Sequence, residues 1–302
     1  MVEHAEQIIN HAKVTLDVAL PGIVWGWMIT LNLWAKSIAT GSVLVGAFLL
    51  ARHKDEGGVN GIRLLIPVIA FIFLNIFLLF TLLDLHQPFR MINIFIHPHW
   101  TSAITVGAWM ATALTGTIAY MAFLALIKKE TKGLYDTLLK VAVILAIPVT
   151  LYTAVIMGEA SARELWQTPA ELMQMALAAL VAGSAILAFF SGRWTPEARR
   201  DLAIILGTAA ALSLIMYMGE YFFSWKGAEV EATMAHVHSG GDWNFMFWLG
   251  QILGYMIPIA LTILAVRNGN GGLLKVAAIS ALIGLFIAKH VWLIIPQLLS
   301  LS

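Results

Sequence analysis

Five ionisable side chains interrupt long apolar runs of this sequence: Lys36, Asp84, Lys140, Glu220 and Lys289. A charge at the middle of a membrane helix costs on the order of 3 kcal/mol or more, so such a residue marks a functional site by default. Lys140 is three residues inside the start of its run and can snorkel to the near surface. Lys36 is too deep for that, whereas Asp84, Glu220 and Lys289 can be read either as interface residues or as parts of a site. Asn32 precedes Lys36 by one helical turn and lies on the same helix face. An ammonium and an amide held in oil can donate hydrogen bonds to a carbonyl-bearing ligand, and a neighbouring carboxylate can accept and pass protons. The sequence pairs Lys36 most simply with a carboxylate such as Asp84.

The elements that must position these groups follow from composition. The chain has 302 residues, 60% hydrophobic and only 12% charged, with a mean hydropathy of +0.85. Soluble chains run near ~25% charged, so this surface faces lipid. Apolar runs of spanning length lie at Pro21–Leu50, Leu64–Leu85, Ser102–Ile127, Thr137–Met157, Pro169–Phe190, Leu202–Phe223, Asn244–Val266 and Leu273–Leu299. Each exceeds a membrane strand in length and none alternates. The reading is an all-α membrane protein of eight transmembrane helices in one integral domain, residues 1–302. Helices 1–4 (about 21–158) and 5–8 (about 169–300) are expected to form two four-helix bundles. A net charge of +1 leaves no footprint for nucleic acid. With no Cys, the chain can supply no disulfide, iron–sulfur ligand or thiolate zinc site. The N-terminus lacks a basic-then-apolar signal, so the first span is expected to direct its own insertion.

Orientation is read from the basic residues. Arg52, Lys54, Arg63, Lys128, Lys129, Lys132, Arg193, Arg199, Arg200, Arg267 and Lys275 fall in the odd-numbered connections. Only Lys13, Arg90, Arg163 and Lys226 fall on the opposite face. The bias puts both termini outside, in the periplasm of a bacterial inner membrane. That outer face carries His4, His11, His86, His97, His99, His236 and His238, and the two longest connections, Gln87–Thr101 and Ser224–Trp243. The scattered His are read as surface residues and not as a metal site, whereas the long loops suit a docking surface.

Depth then gathers the polar residues. Counted from Pro21, Lys36 is fifteen residues into its span, ~22 Å at 1.5 Å per residue and near the membrane middle. Asp84, Tyr152, Glu220 with Tyr221, and Lys289 with His290 all fall toward the outer ends of their spans. Five helices thus send polar groups to one layer.

Residues 82–109 read LLDLHQPFRMINIFIHPHWTSAITVGAW. Together with Leu151-Tyr152-Thr153-Ala154 and Glu164-Leu165-Trp166, this pattern resembles the NrfD/PsrC family, the membrane subunits of polysulfide-reductase-type complexes. Two departures stand out. Ala154 replaces a Gly that the family carries, and Lys36 stands where the family has a His four residues after the Asn. The resemblance implies a subunit that binds quinone (menaquinone or ubiquinone) near the outer face. It exchanges electrons there with a ferredoxin-like iron–sulfur subunit, itself joined to a molybdopterin or multihaem cytochrome catalytic subunit.

A quinone needs hydrogen-bond donors for two carbonyl oxygens and two protons as two electrons arrive. On this reading Asn32, Lys36 and Tyr152 hold the head-group, Asp84 and Lys36 carry the proton chemistry, and Glu220, Lys289 and His290 offer a proton route or a structural ion pair. The chain is expected to hold no haem, iron–sulfur cluster or metal, and not to act alone. The inner halves of the spans offer Asn75, Thr115, Thr208 and Ser213 but no carboxylate. A path across the membrane would therefore run through hydroxyls, an amide and water. A secondary transporter or proton channel uses the same buried Lys, Asp and Glu and stays open as the alternative.

Overall fold

The computed structural model describes residues 23–53, 60–127 and 131–299. His4, His11, Lys13, Pro21, Lys54, Lys128 and Lys129 lie outside the described residues. Eight helices among those described are long and apolar enough to cross a membrane, as the sequence leads one to expect. They are α1 (Trp27–Arg52), α2 (Asn60–Asp84), α3 (Ala103–Leu126), α4 (Lys132–Glu159), α5 (Thr168–Ala188), α6 (Pro196–Phe222), α7 (Asn244–Asn268) and α8 (Gly271–Ile294).

The helices divide by burial. Within the most apolar stretch of each, 78% of α1 and 67% of both α5 and α8 are buried, against 33–39% of the other five. The three central helices are those in which small residues let backbones meet. At Gly41 of α1 an added Cβ would overlap the Ala179 carbonyl of α5, and at Gly183 it would overlap Gly41 itself. Gly254 of α7 and Gly284 of α8 meet in the same way. Without a hydrophobic drive between helices in lipid, such close packing is what holds them together. α1 packs on α2, α4, α5 and α8, and α5 on α4, α6 and α8.

α1 begins at Trp27, not at Pro21. Gly26 precedes it in an extended conformation, φ −94° and ψ −151°, the backbone of an N-cap residue. Thr30 Oγ1 donates back to the Gly26 carbonyl at 3.3 Å. Lys36 is therefore nine residues into the helix, ~13 Å from its start and a third of the way along it.

On the face where α4, α6 and α8 begin, side chains cap each helix: Thr131 accepts from Leu134 N, Thr195 from Ala198 N and Asn270 from Gly272 N. Asp201 of α6 binds Arg52 Nε at 2.6 Å and His53 Nε2 at 3.0 Å, anchoring the end of α1 there. The other face carries the longer connections, with short helices at Asn93–Ile96 and Ala228–Ala235, and is called the loop-rich face below. There Gln297 accepts from Val24 N and Trp25 N and donates to Trp25 O, tying the entry of α1 to the end of α8. Trp25 stacks on Trp166 at 5.4 Å.

α7 carries a π-turn over Ile252–Met256. Pro258 has no N–H for the carbonyl of residue 254, so the ladder must shift just before it. The widened turn directs Tyr255 into the interior, where it is 1% exposed.

Candidate functional site

Asn32 and Lys36 sit one turn apart on the central helix α1, 6% and 1% exposed. Asn32 Nδ2 donates both hydrogens to α2, one to the Phe77 carbonyl at 2.9 Å and one to Thr81 Oγ1. The carbonyl partner fixes which way the amide points. Both donors are thereby used, and the carboxamide oxygen is left as an acceptor. Phe77, Thr81 and Asp84 follow one another at helical spacing on α2, so Asn32 is anchored to the stripe that ends in Asp84.

Lys36 reaches the other way. Its ammonium donates to Thr153 Oγ1 of α4 and lies 4.8 Å from the centre of the Tyr152 ring, a cation–π contact strengthened by desolvation. Tyr152 is half-buried. Its ring fits against Gly107 of α3, where a Cβ would overlap it. The expected Lys36–Asp84 pair is not formed. α1 and α2 run antiparallel with Asn32 level with Phe77 and Thr81, which puts Lys36 level with about residue 75 and Asp84 roughly 13 Å further along. Among the described residues nothing anionic contacts the Lys36 ammonium; a hydroxyl and an aromatic face stand in for the carboxylate.

A family model described as polysulphide reductase, NrfD, matches residues 18–300. The chain belongs to the NrfD family. Members of this family are integral membrane subunits of quinone-linked oxidoreductase complexes. No curated protein matches the chain.

The remaining sequence-derived residues of this NrfD subunit point to separate places. Glu220 ends α6 in an ion pair with Lys226, 2.7 Å away in the following turn. His290 Nδ1 meets Thr30 Oγ1 of α1 at 2.9 Å, and its ring lies beside Trp243 and Phe286. Lys289, one residue earlier, faces α5 instead, with Met175 Sδ at 3.6 Å. Neighbours on a helix diverge by about 100°, so Lys289 and His290 do not share a surface.

Lys289 enters a second polar group that sequence reasoning missed. Glu171 and Gln174 of α5, Tyr217 of α6, Tyr255 of α7 and Trp292 of α8 line one small cavity with it. Glu171 is fully buried, and one of its oxygens accepts from Trp292 Nε1 at 2.8 Å. Tyr217 stacks on Tyr255 at 5.6 Å and meets Trp292 edge-on at 5.0 Å. The small-residue composition of α5, LMQMALAALVAGSAILA, does not give this group away. Ala is nearly as frequent in α3, which is only 33% buried, so composition alone does not mark α5 as central, and Glu171 becomes legible only from the packing.

Proposed function

We propose that this NrfD subunit exchanges electrons between the membrane quinone pool and an iron–sulfur partner seated on the loop-rich face, with the head-group bound beside Tyr152. The supporting observation is the arrangement of Lys36: an ammonium removed from water, bonded to Thr153 and braced against the ring of Tyr152. With 1% exposure, Lys36 meets a ligand only if Tyr152 swings aside, so Tyr152 is the side chain that faces the incoming head-group. Tyr152 donates to one quinone oxygen, and the free carboxamide oxygen of Asn32 suits the hydroxyl of the quinol. Quinone becomes quinol by gaining two electrons from the partner's cluster and two protons through this chain. Lys36 supplies the two protons in turn and is refilled after each from the loop-rich side, where Asp84 ends the stripe that begins at Asn32. The loop-rich face suits docking because Phe89, Trp100 and Trp225 stand exposed on it. The partner's own partner, a molybdopterin or multihaem cytochrome subunit, sets the terminal substrate.

Lys36→Met tests this in the intact complex, purified with its partners in mild detergent. Quinol-linked turnover should fall about 100-fold, the scale of a lost proton donor, while dye-linked activity of the partner is retained. Unchanged quinol-linked turnover removes Lys36 from the site.

A further inference from the structure

The cavity between α5, α6, α7 and α8 carries an inference separate from the quinone reading. Its volume is about 20 Å³. That exceeds the ~10–15 Å³ one water needs and is far too small for a ring system. The walls are polar and incompletely satisfied. Glu171 Oε2 and Gln174 Nε2 are buried without hydrogen-bond partners. Lys289 is 6% exposed, and among the described residues its ammonium meets only the thioether of Met175. No ion pair joins Glu171 to Lys289, although the two interact electrostatically. Leaving a buried carboxylate oxygen, an amide N–H and an ammonium all unsatisfied costs several kcal/mol. One water answers all three: it donates to Glu171 Oε2 and accepts from Lys289 Nζ and Gln174 Nε2.

We propose that this cavity holds a single ordered water joining Glu171 to Lys289, and that the three together form a proton-holding site. The transfer balances within the set: the ammonium gives a proton to the water, the water gives one to Glu171, and a neutral acid and amine replace the ion pair. A proton arriving from outside then reprotonates Lys289. Tyr217 of α6 and Tyr255 of α7 line the site, and Lys36 of α1 and Glu220 of α6 act on Lys289 and Glu171, respectively, electrostatically. Glu220 leads outward to Lys226, so the loop-rich surface is the side from which the site fills.

Infrared difference spectroscopy between pH values, on the full chain in lipid nanodiscs without quinone, reads the site directly. Wild type should show a carboxylic-acid C=O band that titrates and is absent in Glu171→Gln, and a water O–H band that shifts in ¹⁸O-water and is lost in the same variant. Lys289→Met removes the neighbouring positive charge and should raise the midpoint of the carboxyl band by about one pH unit or more. This variant keeps the test decisive if Glu171→Gln does not fold. A Glu171→Gln spectrum identical to wild type, or a midpoint unmoved in Lys289→Met, overturns the proposal. Because no quinone is present, neither result depends on quinone binding beside Tyr152.

Discussion

Tyr152 is held from two sides, by the Lys36 ammonium on one face and the bare backbone of Gly107 on the other. The second contact offers a test that leaves the polar groups intact. In Gly107→Ala the new methyl overlaps the ring and must displace it. Quinol-linked turnover should drop about 10-fold, with Tyr152→Phe, which removes a donor but keeps the ring, falling by a similar factor. Dye-linked activity should survive in both. Full quinol-linked turnover in Gly107→Ala would mean that the position of Tyr152 does not matter. Lys36 was legible in the sequence because a charge in the middle of an apolar run has no bland surroundings. Glu171 was not, because it falls in the first turn of α5, where an acid is ordinary and favoured by the helix dipole. Only the central placement of α5 turns that ordinary residue into a buried one. The partner of Lys36 was misread for a related reason: the sequence gives depth along each helix but not the register between two of them, and that register separates Lys36 from Asp84.

The element that organises both polar groups is the α1–α5 crossing at Gly41 and Gly183. A side chain at Gly41 would run into backbone of Ala179, which cannot rotate away, whereas one at Gly46 would meet the flexible side chain of Ile66. Gly41→Ala should therefore lower the apparent Tm in nanodiscs more than Gly46→Ala does, the former by an overpacking cost of about 1–3 kcal/mol. Equal Tm values would show that the crossing has slack. Over the loop-rich face the short helix Ala228–Ala235 holds a different kind of strain. Partial burial raises the carboxyl of Glu229 above its ordinary value, against the lowering pull of its bond to Thr233 and of Arg163. A carboxyl raised in the folded state binds more protons than in the unfolded chain, so its contribution to stability falls as pH rises through that range. Glu229→Gln removes this dependence. It should match wild type near the unperturbed glutamate value of ~4.3 and exceed wild type in Tm at neutral pH; a variant less stable than wild type at neutral pH contradicts the sign. The eight spans themselves were legible because ~20 apolar residues have one meaning in a membrane. The start of α1 was not, since apolarity continues through Trp25 and Gly26 after the helix has ended.

At the scale of the whole molecule, the proposed function depends on which side of the membrane the loop-rich face occupies, since that face seats the electron-transfer partner. The argument for the periplasm is electrostatic. The opposite face gathers Arg52, Arg63, Arg193, Arg199, Arg200, Arg267 and Lys275 at its helix ends and turns, and the loop-rich face holds Arg90, Arg163 and Lys226, so the positive-inside bias predicts the basic side in the cytoplasm. The absence of Cys from the sequence makes the test free of background. Ser239 is exposed in the loop-rich connection before α7. Gly192 is exposed between α5 and α6, and a side chain there meets open space. In intact cells a membrane-impermeant maleimide should label Ser239→Cys and spare Gly192→Cys until the membrane is permeabilised. The reverse pattern would turn the loop-rich face to the cytoplasm. The iron–sulfur partner would then draw on a cytoplasmic donor or acceptor, and the protons of the quinone step would be taken from or given to the cytoplasm, reversing the contribution of this subunit to the membrane potential.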